Sequence, residues 1–269
     1  MCSKPATPPS SKILGIRVDA LTLPLAVEII AGWIEARTSH YVCVTPAHAI
    51  MDYRRDPDLM RIANQSGLTT PDGMSLVWLL RRRGHPQVKR VYGPDLLLTA
   101  CETGLNLGWR HFFYGGAPGV AEKLAAELQT CFPGLRVAGT HTPPFRPLTP
   151  QEDADVTGII QTAKPDIVWV GLSSPKQERW MAAHVDRLQV PALIGVGAAF
   201  DFISGTKPQA PRWIQHLGME WLFRLASEPR RLWRRYAEYP YFGWLIAKQM
   251  WATRDQQAFR DEAQNGDNR

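Results

Sequence analysis

Short apolar runs alternate with amphipathic helical stretches along most of this chain, and that alternation restricts the folds open to it. Ile13–Val18, Tyr41–Thr45, Gly67–Thr70, Arg110–Tyr114, Leu135–Thr140, Ile167–Val170 and Ala192–Val196 read as strands. Between them, Leu23–Ala36, the charged stretch Tyr53–Asn64, Met74–Leu80, Pro94–Asn106, Val120–Cys131, Gln151–Thr162 and Lys176–Leu188 carry helical spacing. Elements of these lengths in this order predict an α/β fold, a Rossmann-like and mostly parallel sheet with helices on both faces. The pattern breaks after Gly205, where Lys207-Pro208 and Ala210-Pro211 interrupt it, and only helices are expected beyond. The expected organisation is a disordered N-terminus (1–12), an α/β core (13–206), a helical basic and aromatic appendage (207–262) and a disordered tail (263–269).

With 269 residues, 45% of them hydrophobic, the chain can bury a substantial core. Cys2, Cys43, Cys101 and Cys131 are scattered with no C-x-x-C spacing, which fits a reducing, cytoplasmic compartment. The opening residues lack the apolar centre of a signal peptide, and no uncharged apolar run is long enough to span a bilayer. The net charge of +6 is concentrated near the end: Arg224, Arg230, Arg231, Arg234, Arg235 and Lys248 face only Glu228 and Glu238 in that stretch.

Four places suggest a ligand site. Gly171-Leu-Ser-Ser-Pro-Lys-Gln-Glu178 joins an apolar strand to a helix, the layout by which open α/β sheets present free amides to anions at their carboxyl edge; a plain turn with a capping serine is the competing reading. Asp72, between Pro71 and Gly73 at the end of a short strand, is placed to take a proton from a sugar hydroxyl or, equally, to cap the helix that follows. Gly115-Gly116 lets backbone approach a phosphate. Gly195-Val-Gly197 fails the dinucleotide fingerprint, because Phe200 stands at its third glycine position and Gln215 where an acidic residue belongs.

Other residues read two ways. Arg90 can pair with phosphate oxygens as a planar fork or sit on the surface, and His48 is a ligand contact or a helix-start residue. Asp153-Ala-Asp155 resembles a metal-holding pair but falls in a helix's first turns, where acids favour the dipole. No histidine or cysteine spacing suits a metal, so no metal and no cofactor is expected. At the terminus, Arg230-Arg231 and Arg234-Arg235 recur four residues apart and are expected along one side of a helix, flanked by Trp233 and Tyr236. Among nucleic acid, a solvated charged face and a membrane surface, the mixture of arginine and aromatic residues favours an anionic lipid surface over nucleic acid.

Taken in order, Asp72-Gly73, Arg90-Val-Tyr-Gly93, Phe113-Tyr-Gly-Gly116, the Gly171–Glu178 segment, Gly195-Val-Gly-Ala-Ala-Phe-Asp-Phe202 with Gly205, Ala210-Pro211, Glu220-Trp-Leu-Phe-Arg224 and Glu228-Pro-Arg230 resemble the WecG/TagA/CpsF glycosyltransferases, glycosyltransferase family 26. The resemblance runs from about Ile13 to Arg235. It implies an inverting, metal-independent hexosyltransferase that moves a sugar from a UDP-sugar to a polyprenyl-diphosphate-linked saccharide in bacterial cell-wall or exopolysaccharide synthesis. It also implies peripheral attachment to the inner leaflet of the cytoplasmic membrane and a capacity for self-association. By this resemblance Asp72 is the candidate base, with Arg90 and Gln177 completing the catalytic set. Thr45, His48, Gly115, Gly116, Gly171, Pro175, Lys176, Gly197 and Asp201 are the candidate substrate contacts. Arg224, Arg230, Arg231, Arg234 and Arg235 are assigned to membrane or diphosphate. Two departures, Thr45-Pro-Ala-His48 in place of Thr-x-Asn and Gly171-Leu-Ser173 in place of Gly-Leu-Gly, point to a different donor or acceptor sugar, with His48 a candidate substitute for the asparagine. An NAD-dependent oxidoreductase on the same kind of sheet is the rival reading.

Overall fold

A computed structural model of the chain describes residues 7–266, with side chains through residue 252. β1 (Ser10–Ile13) and β2 (Ile16–Asp19) form an antiparallel hairpin. β3 (His40–Thr45), β4 (Leu68–Pro71), β5 (Arg110–Gly115), β6 (Arg136–His141), β7 (Ile167–Gly171) and β8 (Ala192–Gly195) build one sheet in the order β4-β3-β8-β7-β5-β6. Every neighbouring pair in it is parallel.

Helices α1 (Leu23–Ala36), α2 (Ala47–Arg55), α3 (Pro57–Gln65), α4 (Met74–Arg82) and α5 (Gly93–Leu107) belong to the first half of the core. Those of the second half are α6 (Val120–Cys131), α7 (Pro150–Ala163), α8 (Lys176–Leu188) and the short α9 (Ala199–Ile203). After them come α10 (Arg212–His216), α11 (Glu220–Ser227), α12 (Pro229–Tyr236) and α13 (Tyr239–Gly266).

The sheet is apolar on both sides because both sides are covered. On β7, Val168 and Val170 enter one core with Cys43, Phe112 and Tyr114, while Ile167 and Trp169 enter the other with Val42, Val44 and Phe113. Fully burying a large apolar side chain contributes about 1.5–3 kcal/mol, so these two layers supply most of the drive to fold.

Three features differ from the sequence reading. Ile13–Val18 is not one strand of the main sheet: Leu14 and Gly15 have positive φ (51° and 90°) and turn the chain into the β1–β2 hairpin. That hairpin begins at Ser10, inside the 1–12 stretch expected to be disordered, while residues 1–6 lie outside the described residues. The helical stretch Tyr53–Asn64 is two helices, because Pro57 starts α3 and Asp56 caps it, accepting from the backbone N–H groups of Asp58 (3.0 Å) and Leu59 (3.2 Å). At the far end α13 runs to Gly266, past the boundary expected at 262, and residues 267–269 lie outside the described residues.

The appendage is docked on the core. Phe242, Leu245 and Ile246 of α13 join the core face that contains Ala49, Ile50 and Tyr53 of α2. Glu238 pairs with Arg55 at 2.5 Å, and the Gln249 side chain accepts from the Leu14 N–H at 3.2 Å, tying the last helix back to the first hairpin.

Candidate active site

From β5 the chain leaves towards β6, whereas from β7 it leaves in the opposite direction towards β8, so the carboxyl ends of these neighbours bound a crevice. Gly115 and Gly171 are partners there. Gly115 has φ 119°, and a Cβ on it would lie 2.7 Å from the Gly171 carbonyl carbon; one on Gly171 would lie 2.8 Å from the Phe200 ring. Both glycines are therefore demanded by close approach at the crevice.

Above it opens a cleft of about 1370 Å³. Its lining includes Asp72, His48, Gly116, Gly171, Lys176, Gln177, Gly197, Asp201, Arg224, Arg231 and Arg235, residues from the exits of β4, β5, β7 and β8, from α2, α8 and α9, and from the appendage. Six cationic side chains (Arg146, Lys176, Lys207, Arg224, Arg231, Arg235) share it with three carboxylates (Asp72, Asp153, Asp201), a balance that favours an anionic ligand.

Asp72 follows β4 with its N–H bonded to the Thr45 carbonyl at 3.1 Å. It is not a helix cap: Gly73 occupies the N-cap of α4, with no side-chain cap bond. The carboxylate is 19% exposed and meets Arg90 Nη2 at 3.3 Å. Burial pushes its pKa up to about 6 against the pull of Arg90 and Arg224, with Glu220 adding to the rise. A carboxyl group with that pKa is ionised at neutral pH and still basic enough to take up a proton.

Arg90 stands behind Asp72 and does not line the main cleft. Its guanidinium donates to the Asp72 backbone carbonyl, to Glu220 Oε2 at 2.6 Å and to Gln215 Oε1 at 3.4 Å, and lies 3.9 Å over the Tyr92 ring. The fork expected to hold phosphate is thus occupied by protein acceptors.

Gln177, in the first turn of α8, is almost fully buried; its Nε2 donates to Glu178 Oε1 at 3.3 Å, and its Oε1 has no partner among the described residues. Glu178 beneath it is fully buried, takes hydrogen bonds from Tyr53 (3.0 Å) and Ser174 (2.5 Å), and has its pKa raised by burial. His48, in the first turn of α2, faces Tyr236 edge-on at 6.3 Å between ring centroids. Burial, then Arg235 and Arg224, push its pKa well below the ordinary histidine value, so the ring is neutral at pH 7.

The other predicted contacts divide. Thr45 is fully buried, donating to the Cys43 carbonyl at 3.0 Å; Gly115 is buried below the crevice; Pro175 caps α8, and none of the three lines the cleft. Lys176 reaches the rim 4.8 Å over the exposed Phe145 ring, and Asp201 is paired with Lys207 at 2.9 Å.

Nor do the terminal arginines share one side. Arg231 and Arg235 face the cleft with Arg224, whereas Arg230 and Arg234 are exposed and outside it, because residues one apart on a helix differ by about 100° in direction. Arg231 is held by Glu228 at 2.6 Å, Arg235 donates to the Ser174 carbonyl at 3.3 Å, and Arg224 has no ion pair among the described residues. Sequence reasoning assigned no role to Glu220, Tyr92, or the stacked wall of Tyr114 and Trp180, whose ring centroids are 4.3 Å apart. Tyr92, Tyr114 and Glu220 all lie within the segments that carry the resemblance, yet nothing local marks Glu220 as a partner of Arg90, 130 residues away.

A doubly wound sheet with a cation-rich cleft at its switch point and a partly buried carboxylate in its lining has the layout of a binding site for an anionic substrate. The glycosyl transferase WecG/TagA/CpsF family matches residues 11–256, and the chain belongs to that family. It is therefore a glycosyltransferase, and the oxidoreductase reading is set aside. Proteins from Staphylococcus aureus strains MRSA252, MW2 and NCTC 8325, each named N-acetylglucosaminyldiphosphoundecaprenol N-acetyl-beta-D-mannosaminyltransferase, are 27% identical to it over 238 residues, 88% of this chain and 91% of theirs.

Proposed function

We propose that this chain transfers a sugar from a UDP-sugar to a polyprenyl-diphosphate-linked saccharide, with inversion and without a metal, at the cytoplasmic face of a bacterial membrane. One observation carries the reading: the same cleft is lined by Asp72, Gln177, His48 and three appendage arginines. Family membership and the acceptor in the name of the staphylococcal relatives support the class of substrate.

In the proposed step, Asp72 accepts the proton of an acceptor hydroxyl. That oxygen bonds to the anomeric carbon as the bond from this carbon to the diphosphate breaks on the opposite face, and the electron pair leaves with UDP. Arg224, Arg231 and Arg235, with the amides following Gly116, supply the positive charge that receives it. Neutral His48 and Gln177, whose buried Oε1 has no partner among the described residues, line the cleft and are assigned to the sugar hydroxyls.

Attachment to the membrane rests on the appendage. No helix among the described residues is long and apolar enough to cross a bilayer. Instead Trp233 and Trp244 are exposed, with Arg234 5.4 Å over the Trp233 ring and Lys248 5.5 Å over that of Trp244, and Trp213 and Arg230 are exposed as well, a mixture that suits lipid headgroups.

Incubation with a panel of UDP-sugars and a short-chain lipid-diphosphate saccharide, read by mass, tests the proposal. One hexose should be added, in the presence of EDTA as in its absence, and Asp72→Asn should lower turnover by at least about a hundredfold with donor binding retained. Near-normal turnover by that variant removes Asp72 from the role.

A further inference from the structure

The appendage brings one carboxylate into the immediate surroundings of Asp72. Glu220, in the first turn of α11, receives Arg90 Nη2 at 2.6 Å and the Tyr92 hydroxyl at 3.2 Å. The same nitrogen is 3.3 Å from Asp72 Oδ1. Arg90 and Glu220 are 17% and 13% exposed, so the contact is largely shielded from water. One guanidinium thus stands between two carboxylates, one from the core and one from the appendage; its Nε donates to the Asp72 backbone carbonyl, and of its two carboxylate contacts the shorter is with the appendage.

We infer that Glu220 is a positioning residue for the reaction proposed above: by sharing Arg90 with Asp72, it keeps that cation from neutralising the carboxylate and so adds to the effect of burial in keeping Asp72 a usable base. The inference rests on Asp72 being the base. A guanidinium paired only with Asp72 would pull its proton affinity down, as an arginine beside an aspartate ordinarily does. A second carboxylate divides that charge and adds a repulsion of its own. The other groups around Asp72 are His48 from α2, Tyr92, Arg224 from α11, Tyr236 from α12 and Tyr239 from α13. His48 is neutral, and burial raises the hydroxyl pKa of all three tyrosines, so Arg90, Arg224 and Glu220 are the charges that set the balance. The appendage arginines then act on the leaving group, and Glu220 acts on the base.

The test reads Asp72 directly. In protein carrying ¹³C-labelled aspartate, the Asp72 carboxyl signal is assigned by its loss in Asp72→Asn, and its titration midpoint is followed with and without Glu220→Gln, which preserves shape and removes charge. The midpoint should fall by about one pH unit in Glu220→Gln, and the acid limb of the turnover–pH profile should move to lower pH with it. Glu220→Asp, which retains the charge, should stay near the wild-type midpoint. Glu238→Gln loses the Arg55 pair that helps to dock the appendage, and it should leave the midpoint unchanged, separating charge from simple loosening. An unchanged midpoint in Glu220→Gln overturns the inference whether or not transfer is observed, while a shifted midpoint with no transfer by the wild-type protein on any donor counts against the proposed function alone.

Discussion

Replacing Asp72 with asparagine should stabilise the protein at high pH even as it disables turnover, because the carboxylate is held where ionisation is unfavourable. Its pKa rises from 3.8 to about 6 on folding. The sign follows from proton binding: the folded state holds this proton more tightly than the unfolded state, so the group lowers stability progressively as pH rises from about 4 through 6, and by a constant amount above that. Two pKa units correspond to about 3 kcal/mol near pH 8 and, by the same linkage, to about 1.6 kcal/mol at pH 5. The difference, about 1.4 kcal/mol, is the quantity to measure, since any pH-independent cost or gain of the amide cancels from it. Glu220 remains to hold Arg90 in the variant, so no cation is stranded. Denaturant unfolding followed by tryptophan fluorescence, on both proteins at pH 8 and pH 5, gives the number. An advantage of asparagine that is equal at the two pH values, or larger at pH 5, refutes the argument that burial has raised this pKa.

Gly115→Ala sets a Cβ 2.7 Å from the Gly171 backbone at a φ of 119°, and its unfolding free energy should drop by at least about 2 kcal/mol in the same assay. Wild-type turnover should fall as pH drops through about 6, following protonation of Asp72, when rates are measured between pH 5 and 8 with saturating donor. Arg231→Ala with Arg235→Ala should lower turnover at least tenfold on a water-soluble short-chain acceptor, whereas Arg230→Ala with Arg234→Ala should spare that reaction and weaken sedimentation with anionic vesicles, each outward cation accounting for about 1 kcal/mol. Glu178→Gln, which keeps the shape and an acceptor oxygen, should keep the wild-type fold by circular dichroism at pH 7, while Glu178→Ala should cost about 1–3 kcal/mol by leaving Tyr53 and Ser174 without their acceptor.

Local sequence determined the elements and the glycine-marked turns of the cleft, because strand and helix periodicity and glycine's conformational freedom are properties of neighbours in the chain. It accordingly located Asp72 at a strand exit, the Gly171–Glu178 segment at a strand-to-helix junction, and the basic terminus as helix. The hairpin at Leu14-Gly15 and the break at Asp56-Pro57 were also local, written in turn and capping chemistry that a reading by apolar runs passed over. Only the tertiary structure decided which groups share a site. It withdrew Thr45, Gly115 and Pro175 from the cleft surface, turned Arg90 to the back of Asp72, and split four consecutive-looking arginines between cleft and solvent. It also set Glu220 against a residue 130 positions away. Charge and burial act through space, so a carboxylate's proton affinity, and with it the identity of a base, belongs to the packed molecule.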